Sequence, residues 1–347
     1  MNKQGAYYPI IGDGETYRMN AYNSNITWEK TTTYNAGLDF GVCDNRFTTN
    51  IDFYYRKTTD LINNITLPVL SNPQNKVNMN IGELHNVGVE ASFNYRVIQS
   101  KDWNWTVGYN VAWNKNKIDK LNYGDDASYR VWYGGIPVGD SSTDGIKAYH
   151  VGNASSAYFV YQQVYDENGQ PIQGLYVDRN GDGTINDSDR YYYKKADPDV
   201  TMGLSSKLMF KGWDLGFAMR ASLNNYNYNA LEASKSGLSL TSLYPGSSYQ
   251  NVPTMVIAKD WSSAGAKEVL SDYFIQNASF LKMDHITLGY SFQKFFGMNI
   301  DGRAYGTVQN VFTITKYKGL DPEISGGYDN NLYPRPLTMI LGLNLNF

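Results

Sequence analysis

The chain has 347 residues, 18% charged and 42% hydrophobic, with a formal net charge of −3. So even a balance disfavours a nucleic-acid partner gripped through its phosphates. No stretch approaches the roughly 18 consecutive apolar residues of a membrane-spanning helix, although barrel strands, with their weaker hydropathy signal, stay open.

Thirty Tyr, seven Trp and 32 Gly point to β structure with aromatic surfaces. The single cysteine, Cys43, excludes an internal disulfide and a cysteine-rich metal site. It is expected as a small, half-buried residue beside a turn. The opening residues, Met1-Asn-Lys-Gln-Gly-Ala-Tyr-Tyr, lack the basic and apolar regions of a signal peptide.

Period-two alternation begins at Tyr34, where Ala36, Leu38, Phe40 and Val42 interleave with Asn35, Gly37, Asp39 and Gly41. An Asp44-Asn45 turn leads to Phe47, Thr49, Ile51, Phe53 and Tyr55, alternating with Thr48, Asn50 and Asp52. A polar connection over about 58–85 precedes Val87, Val89, Ala91, Phe93, Tyr95 and Val97. After the turn Gln99-Ser-Lys-Asp102 come Trp105, Val107, Tyr109, Val111 and Trp113. A long connection, 117–200, separates these from Leu204, Leu208 and Phe210, which turn at Lys211-Gly212 into Trp213, Leu215, Phe217, Met219, Ala221 and Leu223. Another runs to about 279, before Ile286, Leu288, Tyr290 and Phe292; a partner strand near Ile300–Ile314 follows. Beyond a Gly-, Asp- and Pro-rich loop, 315–336, the last strand sets Leu337, Met339, Leu341, Leu343, Leu345 and Phe347 against Thr338, Gly342, Asn344 and Asn346. Ile340 breaks its rule.

These are nine strands whose connections alternate short and long. Compact domains rarely use connections above about 15 residues, and a sandwich has no need for every second one to be long. Short periplasmic turns and long extracellular loops characterise an antiparallel transmembrane β-barrel. If the last strand ends in the periplasm, nine strands back starts the first from outside, making 1–32 the tail of an extracellular loop. Bacterial barrels have even strand numbers, so an odd count predicts part of a larger barrel. A tenth strand within 117–200 would instead allow a small self-contained porin-like barrel.

The sharpest motif is Asp178-Arg-Asn180-Gly-Asp182-Gly-Thr184-Ile-Asn186-Asp-Ser-Asp189. Its oxygens stand at positions 1, 3, 5, 9 and 12, with Gly183 at position 6 and the Thr184 carbonyl at position 7. This is the calcium-loop spacing with Asp189 in place of the usual bidentate Glu. The loop 178–189 is therefore a candidate structural calcium site of low affinity, against the alternative of Asx-turns satisfying the backbone. Trp28, Trp103, Trp105, Trp113 and Trp213 lie near predicted strand ends, as an interfacial girdle or as platforms for sugar rings. His85, His150 and His285 share no metal-ligand spacing. His285 and Asp284 are expected on opposite strand faces. No nucleophile elbow or phosphate-binding glycine pattern is present, so no catalytic residue is assigned.

Several segments together resemble the SusC/RagA family of TonB-linked outer-membrane transporters. They are Thr27-Trp-Glu-Lys-Thr31 with Asn35-Ala-Gly-Leu-Asp-Phe40, Asp52-Phe-Tyr-Tyr-Arg-Lys57, Asn86-Val-Gly-Val-Glu90 and Asn114-Lys-Asn-Lys-Ile118. Later ones are Gly174-Leu-Tyr-Val-Asp178, Asn310-Val-Phe-Thr313, Tyr317-Lys-Gly-Leu-Asp-Pro-Glu323, Tyr333-Pro-Arg-Pro336 and the terminal Phe347. The resemblance implies a 22-stranded barrel with a plugged lumen, to which this chain contributes nine or ten C-terminal strands. It implies import of glycans or peptides with a SusD-like surface lipoprotein and energy from the TonB complex, in the outer membrane of a Gram-negative, Bacteroidetes-like bacterium. Phe347 would be the outer-membrane assembly signal. No plug domain, TonB box or substrate contact is recognised in the sequence. A soluble carbohydrate-binding module is the alternative of another class.

Overall fold

The structure, a computed structural model, describes residues 23–66, 76–121, 129–135, 145–236, 269–293, 300–330 and 333–346. Phe347 and most of the 1–32 stretch lie outside the described residues. Nine strands form one antiparallel sheet in chain order. We label them β1 (Lys30–Val42), β2 (Phe47–Thr66), β3 (Lys76–Gln99), β4 (Trp103–Lys120), β5 (Val200–Phe210), β6 (Trp213–Leu223), β7 (Phe280–Phe292), β8 (Asp301–Thr315) and β9 (Thr338–Asn346). The strands expected from alternation are therefore present and pair with their expected neighbours.

The register is what gives the sheet two different faces. Val42, Phe47, Tyr95, Val107, Ser206, Phe217, Ile286, Val308 and Met339 lie side by side across all nine strands. One residue along each strand, Gly41, Thr48, Asn94, Gly108, Ser205, Ala218, His285, Gln309 and Thr338 make an adjacent row. Successive residues point to opposite sides of a strand, so one face is apolar and the other small or polar. The apolar face is bare: Leu341 is 91% exposed and Met339 75%. In water such a face would drive aggregation; against lipid it is the barrel's ordinary outer surface.

Aromatic residues bound that face. At the short-turn end, Trp103 stacks on Phe210 at 4.0 Å and Trp213 meets Tyr290 at 4.8 Å. Trp113 stands ten residues up β4 from Trp103, about 33 Å along the strand. At a strand tilt of about 40° this is about 25 Å of height, that of a barrel's apolar band. Trp105, two residues further from the turn than Trp103 and on the same apolar face, donates Nε1–H to Ser206 Oγ at 2.9 Å. Trp28, in the stretch before β1, is almost wholly exposed.

Several expectations need correction. The polar connection of 58–85 is largely strand, because β2 runs on to Thr66 and β3 starts at Lys76. Register shifts between Thr58 and Leu61 and between Leu61 and Ile62 break the period of β2 while pairing continues; Asn64 Nδ2 donates to Asn78 Oδ1 at 2.7 Å. The first turn carries Cys43, Asp44 and Asn45 all at positive φ, 54°, 54° and 58°, and Cys43 is exposed rather than half-buried. In β7 a bulge at Asp284 interrupts pairing with both neighbours. A bulge resets alternation, so Asp284 shares the inner side with Arg220, to which it is bonded, and with His285 in the inner row.

Among the described residues, no strand between β4 and β5 joins the large sheet, and β1 and β9 pair on one side only. The sheet is an open section of barrel, not a closed small one. The segments 131–135, 145–149, 157–160 and 191–195 make a separate four-stranded sheet, and 226–229, 275–277 and 328–329 a three-stranded one. These connections condense at the long-connection end into a cap with its own core. Tyr158, Tyr228, Phe274, Ile146 and Val160 are fully buried there, packed with Tyr161, Val269 and Ile275. Burial of each large side chain contributes about 1.5–3 kcal/mol, enough together to order loops that would otherwise be solvated chain.

Candidate functional site

Three features stand where a solute would meet this section of barrel: the inner wall, the cap, and the calcium-spaced loop on the cap. The inner wall offers amides, hydroxyls and glycines together with paired charges such as Asp214–Arg303 at 2.6 Å. Gly88 is small of necessity, since a Cβ there would meet the Trp113 carbonyl at 2.7 Å and the Tyr54 ring and hydroxyl. Tyr54 instead donates its hydroxyl to Asn114 Oδ1 at 3.0 Å.

In the cap, Arg190 is the central buried cation. It lies over Trp132 at 4.5 Å and Phe159 at 5.1 Å, and donates to the carbonyls of Gly145 and Phe159, both at 2.6 Å. Cation–π packing with charge-assisted hydrogen bonds lets a guanidinium remain inside an aromatic core. Lys147, 3% exposed, lies 4.8 Å over the Tyr158 ring and donates to the Gly326 carbonyl. Burial lowers its pKa to about 8.

The 178–189 loop winds around its own backbone. Asp178 accepts N–H bonds from Gly181 and Gly183, both 2.7 Å, while Asn180 accepts from Asp182 and Asp182 from Thr184. Asn186 accepts from Ser188 and donates to the Thr184 carbonyl. Gly181 and Gly183 take φ of 73° and 79°, which glycine adopts without steric cost. Asp189 is fully buried and accepts from Asn186 N–H at 2.8 Å and Arg179 N–H at 2.9 Å. The Asn186 N–H, then those of Arg179 and Asn180, hold its carboxyl below the usual range. All six candidate ligands thus belong to one short loop, with Asn180, Asp182 and Thr184 exposed and Asp189 buried beneath. Among the described residues no three His, Cys, Asp or Glu side chains converge on one point. A cation here would need amide and carbonyl oxygens as well as carboxylates.

The three histidines stay apart. His85 Nδ1 pairs with Asp119 at 2.7 Å, His150 Nδ1 with Asn153 at 3.0 Å, and His285 sits in the inner row.

Sequence reasoning missed a charge cluster on the inner wall. Arg220 of β6 donates Nε–H to Asp284 at 2.9 Å and both terminal nitrogens to Glu323, one at 2.9 Å. Lys282 of β7 lies 3.7 Å from both Asp321 and Glu323, and Arg335 donates to Glu323. The signal was present as the Leu-Asp-Pro-Glu and Tyr-Pro-Arg-Pro segments, but nothing in them names their partners on β6 and β7.

An antiparallel section of barrel, apolar outside and polar inside, with a folded cap at one end, is the architecture of a membrane β-barrel. The family model "TonB dependent receptor-like, beta-barrel" matches residues 4–159. Over the whole chain the sequence is 47% identical to the TonB-dependent receptor SusC of Bacteroides thetaiotaomicron, of which it covers 35%. It is 29% identical to TonB-dependent receptor P3 of Formosa agariphila across 99% of the chain and 37% of that relative. Among solved structures, the RagAB peptide transporter superposes with a TM-score of 0.75 at 24% identity, over 99% of this chain and 38% of that one. Over its whole length the chain is similar to TonB-dependent receptors of the SusC kind, and these relatives are transporters and receptors rather than enzymes. It spans about a third of the length of the curated relatives it matches.

Proposed function

We propose that this chain forms part of the wall and cap of a TonB-dependent outer-membrane transporter. The transporter imports glycans or other oligomeric nutrients with a SusD-like surface lipoprotein, energised by the TonB complex. The observation that carries this reading is the 47% identity to SusC over the full chain. The two-faced register supports it independently, since an apolar outer surface with a polar inner wall suits a membrane barrel and a hydrophilic solute. In this reading the long connections and cap lie outside the cell, Phe347 is the assembly signal, and a calcium ion held loosely by the 178–189 loop stiffens the cap.

The test is deletion of the gene carrying this chain in its Bacteroidetes host, followed by growth on single glycans and on peptides. Loss of growth on a glycan, restored by complementation, supports the reading. Retained growth on every glycan with loss on peptides would shift the substrate class. Recovery of the protein in the soluble fraction would sink the membrane assignment. Affinity purification from detergent-solubilised outer membranes should bring down a surface lipoprotein.

A further inference from the structure

The connection between β8 and β9 does more than join two strands. Its wall end, Asp321-Pro322-Glu323, is fastened to β6 and β7 by Arg220 and Lys282, with Arg335 closing the cluster from the chain beyond. Three cations face three carboxylates, Asp284 included, so the cluster is balanced. The Lys282 and Asp321 side chains are 4% and 6% exposed, and a buried charge left without its partner is costly.

Its cap end is fastened differently. The Gly327 carbonyl accepts the Tyr158 hydroxyl at 2.7 Å, and the Gly326 carbonyl accepts Lys147 Nζ. Tyr328 and Asp329 run parallel to Tyr228 and Asn229, and the Tyr328 and Tyr228 rings stack at 5.7 Å. Gly326 and Gly327, at φ of 70° and 66°, make the turn that presents both carbonyls. Between the two ends the segment is braced. Tyr317 donates its hydroxyl to Asp329 Oδ2 at 2.6 Å, Asn227 donates to the Pro322 carbonyl at 2.8 Å, and Asp321 accepts from the Glu323 N–H at 3.0 Å. A Cβ on Gly319 would collide with the Tyr317 ring and with Asp329.

We propose that Tyr317–Asp329 is a strap that fixes the cap to the inner wall, and that the Arg220–Glu323–Lys282–Asp321 cluster is its release point. The cap end is sealed in the tyrosine core. The wall end rests on charges, and Arg220 and Arg335 keep 37% and 42% of their side chains exposed to ions and solutes. With the strap engaged, the cap and β6–β7 move together; with the cluster opened, the cap keeps its own core and the bonds of residues 152–155 to β4, and loses its charged tie to β6–β7. This gives each residue of the Tyr-Lys-Gly-Leu-Asp-Pro-Glu segment that makes a contact a mechanical duty. It stands on contacts within this chain and is independent of substrate or partner.

The test is hydrogen exchange by mass spectrometry on the detergent-solubilised receptor carrying this chain, as wild type, Glu323→Gln and Asp321→Asn. The proposal expects exchange in cap segments 157–160, 191–195 and 226–229 to quicken by about tenfold in both variants. β1–β4 should be unchanged, and the unboiled protein should keep its folded gel mobility. Cap exchange within twofold of wild type in both variants would overturn it. So would equal acceleration of the cap and β1–β4, which would mark general destabilisation rather than release of a strap.

Discussion

Leu204 and Ser205 are neighbours in β5, and the register sends them to opposite worlds. Leu204 lies between Tyr109 and Met219 on the apolar face, while Ser205 lies between Gly108 and Ala218 on the inner face. Leu204 is four residues from Val200 and six from Phe210, near mid-height of the band bounded by the tryptophans. Arginine at a barrel's lipid-facing midplane costs about 2–4 kcal/mol, and lumen-facing substitutions far less. At about 1.4 kcal/mol per tenfold, Leu204→Arg should lower the folding equilibrium by about 30- to 900-fold. Ser205→Arg should change it by less than about fivefold, because Ser205 is exposed on the inner wall. The assay is refolding of the receptor into lipid vesicles under a urea series, with the folded fraction read from the mobility of unboiled samples. Equal losses for the two variants, or a greater loss for Ser205→Arg, would refute the assignment of faces.

Calorimetry on the receptor should show weak calcium binding, with a Kd of about 10⁻⁴–10⁻³ M as in extracellular modules, abolished by Asp178→Ala with Asp182→Ala; no heat in the wild type would end the calcium proposal. Lys147 sets a pH dependence: burial lowers its pKa from 10.5 to about 8, so between those values the unfolded chain binds more protons and cap stability rises with pH. From pH 8 to 9, below the range in which tyrosines of the unfolded chain ionise, the gain should be about 1 kcal/mol in the cap's thermal unfolding, and Lys147→Met should flatten the slope. Gly319→Ala should destabilise the cap by about 1–3 kcal/mol, the usual cost of overpacking, seen as faster exchange at 226–229; an unchanged rate would contradict the close approach to Tyr317.

The large sheet was legible because each strand carries period-two alternation that one buried or lipid-facing side imposes. Val42 to Met339 form a row for the same reason that Leu38, Phe40 and Val42 alternate with Asp39 and Gly41. The hairpin above Arg56 was illegible because two register shifts, between Thr58 and Leu61 and between Leu61 and Ile62, break the period of β2 where Asn63, Asn64, Asn78 and Asn80 make the stretch read as polar loop. The bulge at Asp284 has no local signature either; it shows once Arg220 and Glu323 are in place. The cap escaped because its core is built from Tyr158, Tyr228 and Phe274, each in an element of only three or four residues, too short for periodicity. The 178–189 loop was readable since its spacing is local. The strap was not, because its charges come from positions 220, 282, 284, 321, 323 and 335, and sequence distance hides their meeting.

The cap also imposes a timetable. Each strand of the large sheet pairs with the large-sheet strands before and after it in sequence, so the wall can form in chain order, four of its pairings closed by short turns. The cap cannot. Lys147 waits for Gly326, 179 residues later, and Tyr158 for Gly327, 169 residues later. Until β8 is laid down and the chain after it arrives, the tyrosines of the earlier connections have an incomplete core to enter. The cap's core can therefore close only after the large sheet is laid down through β8.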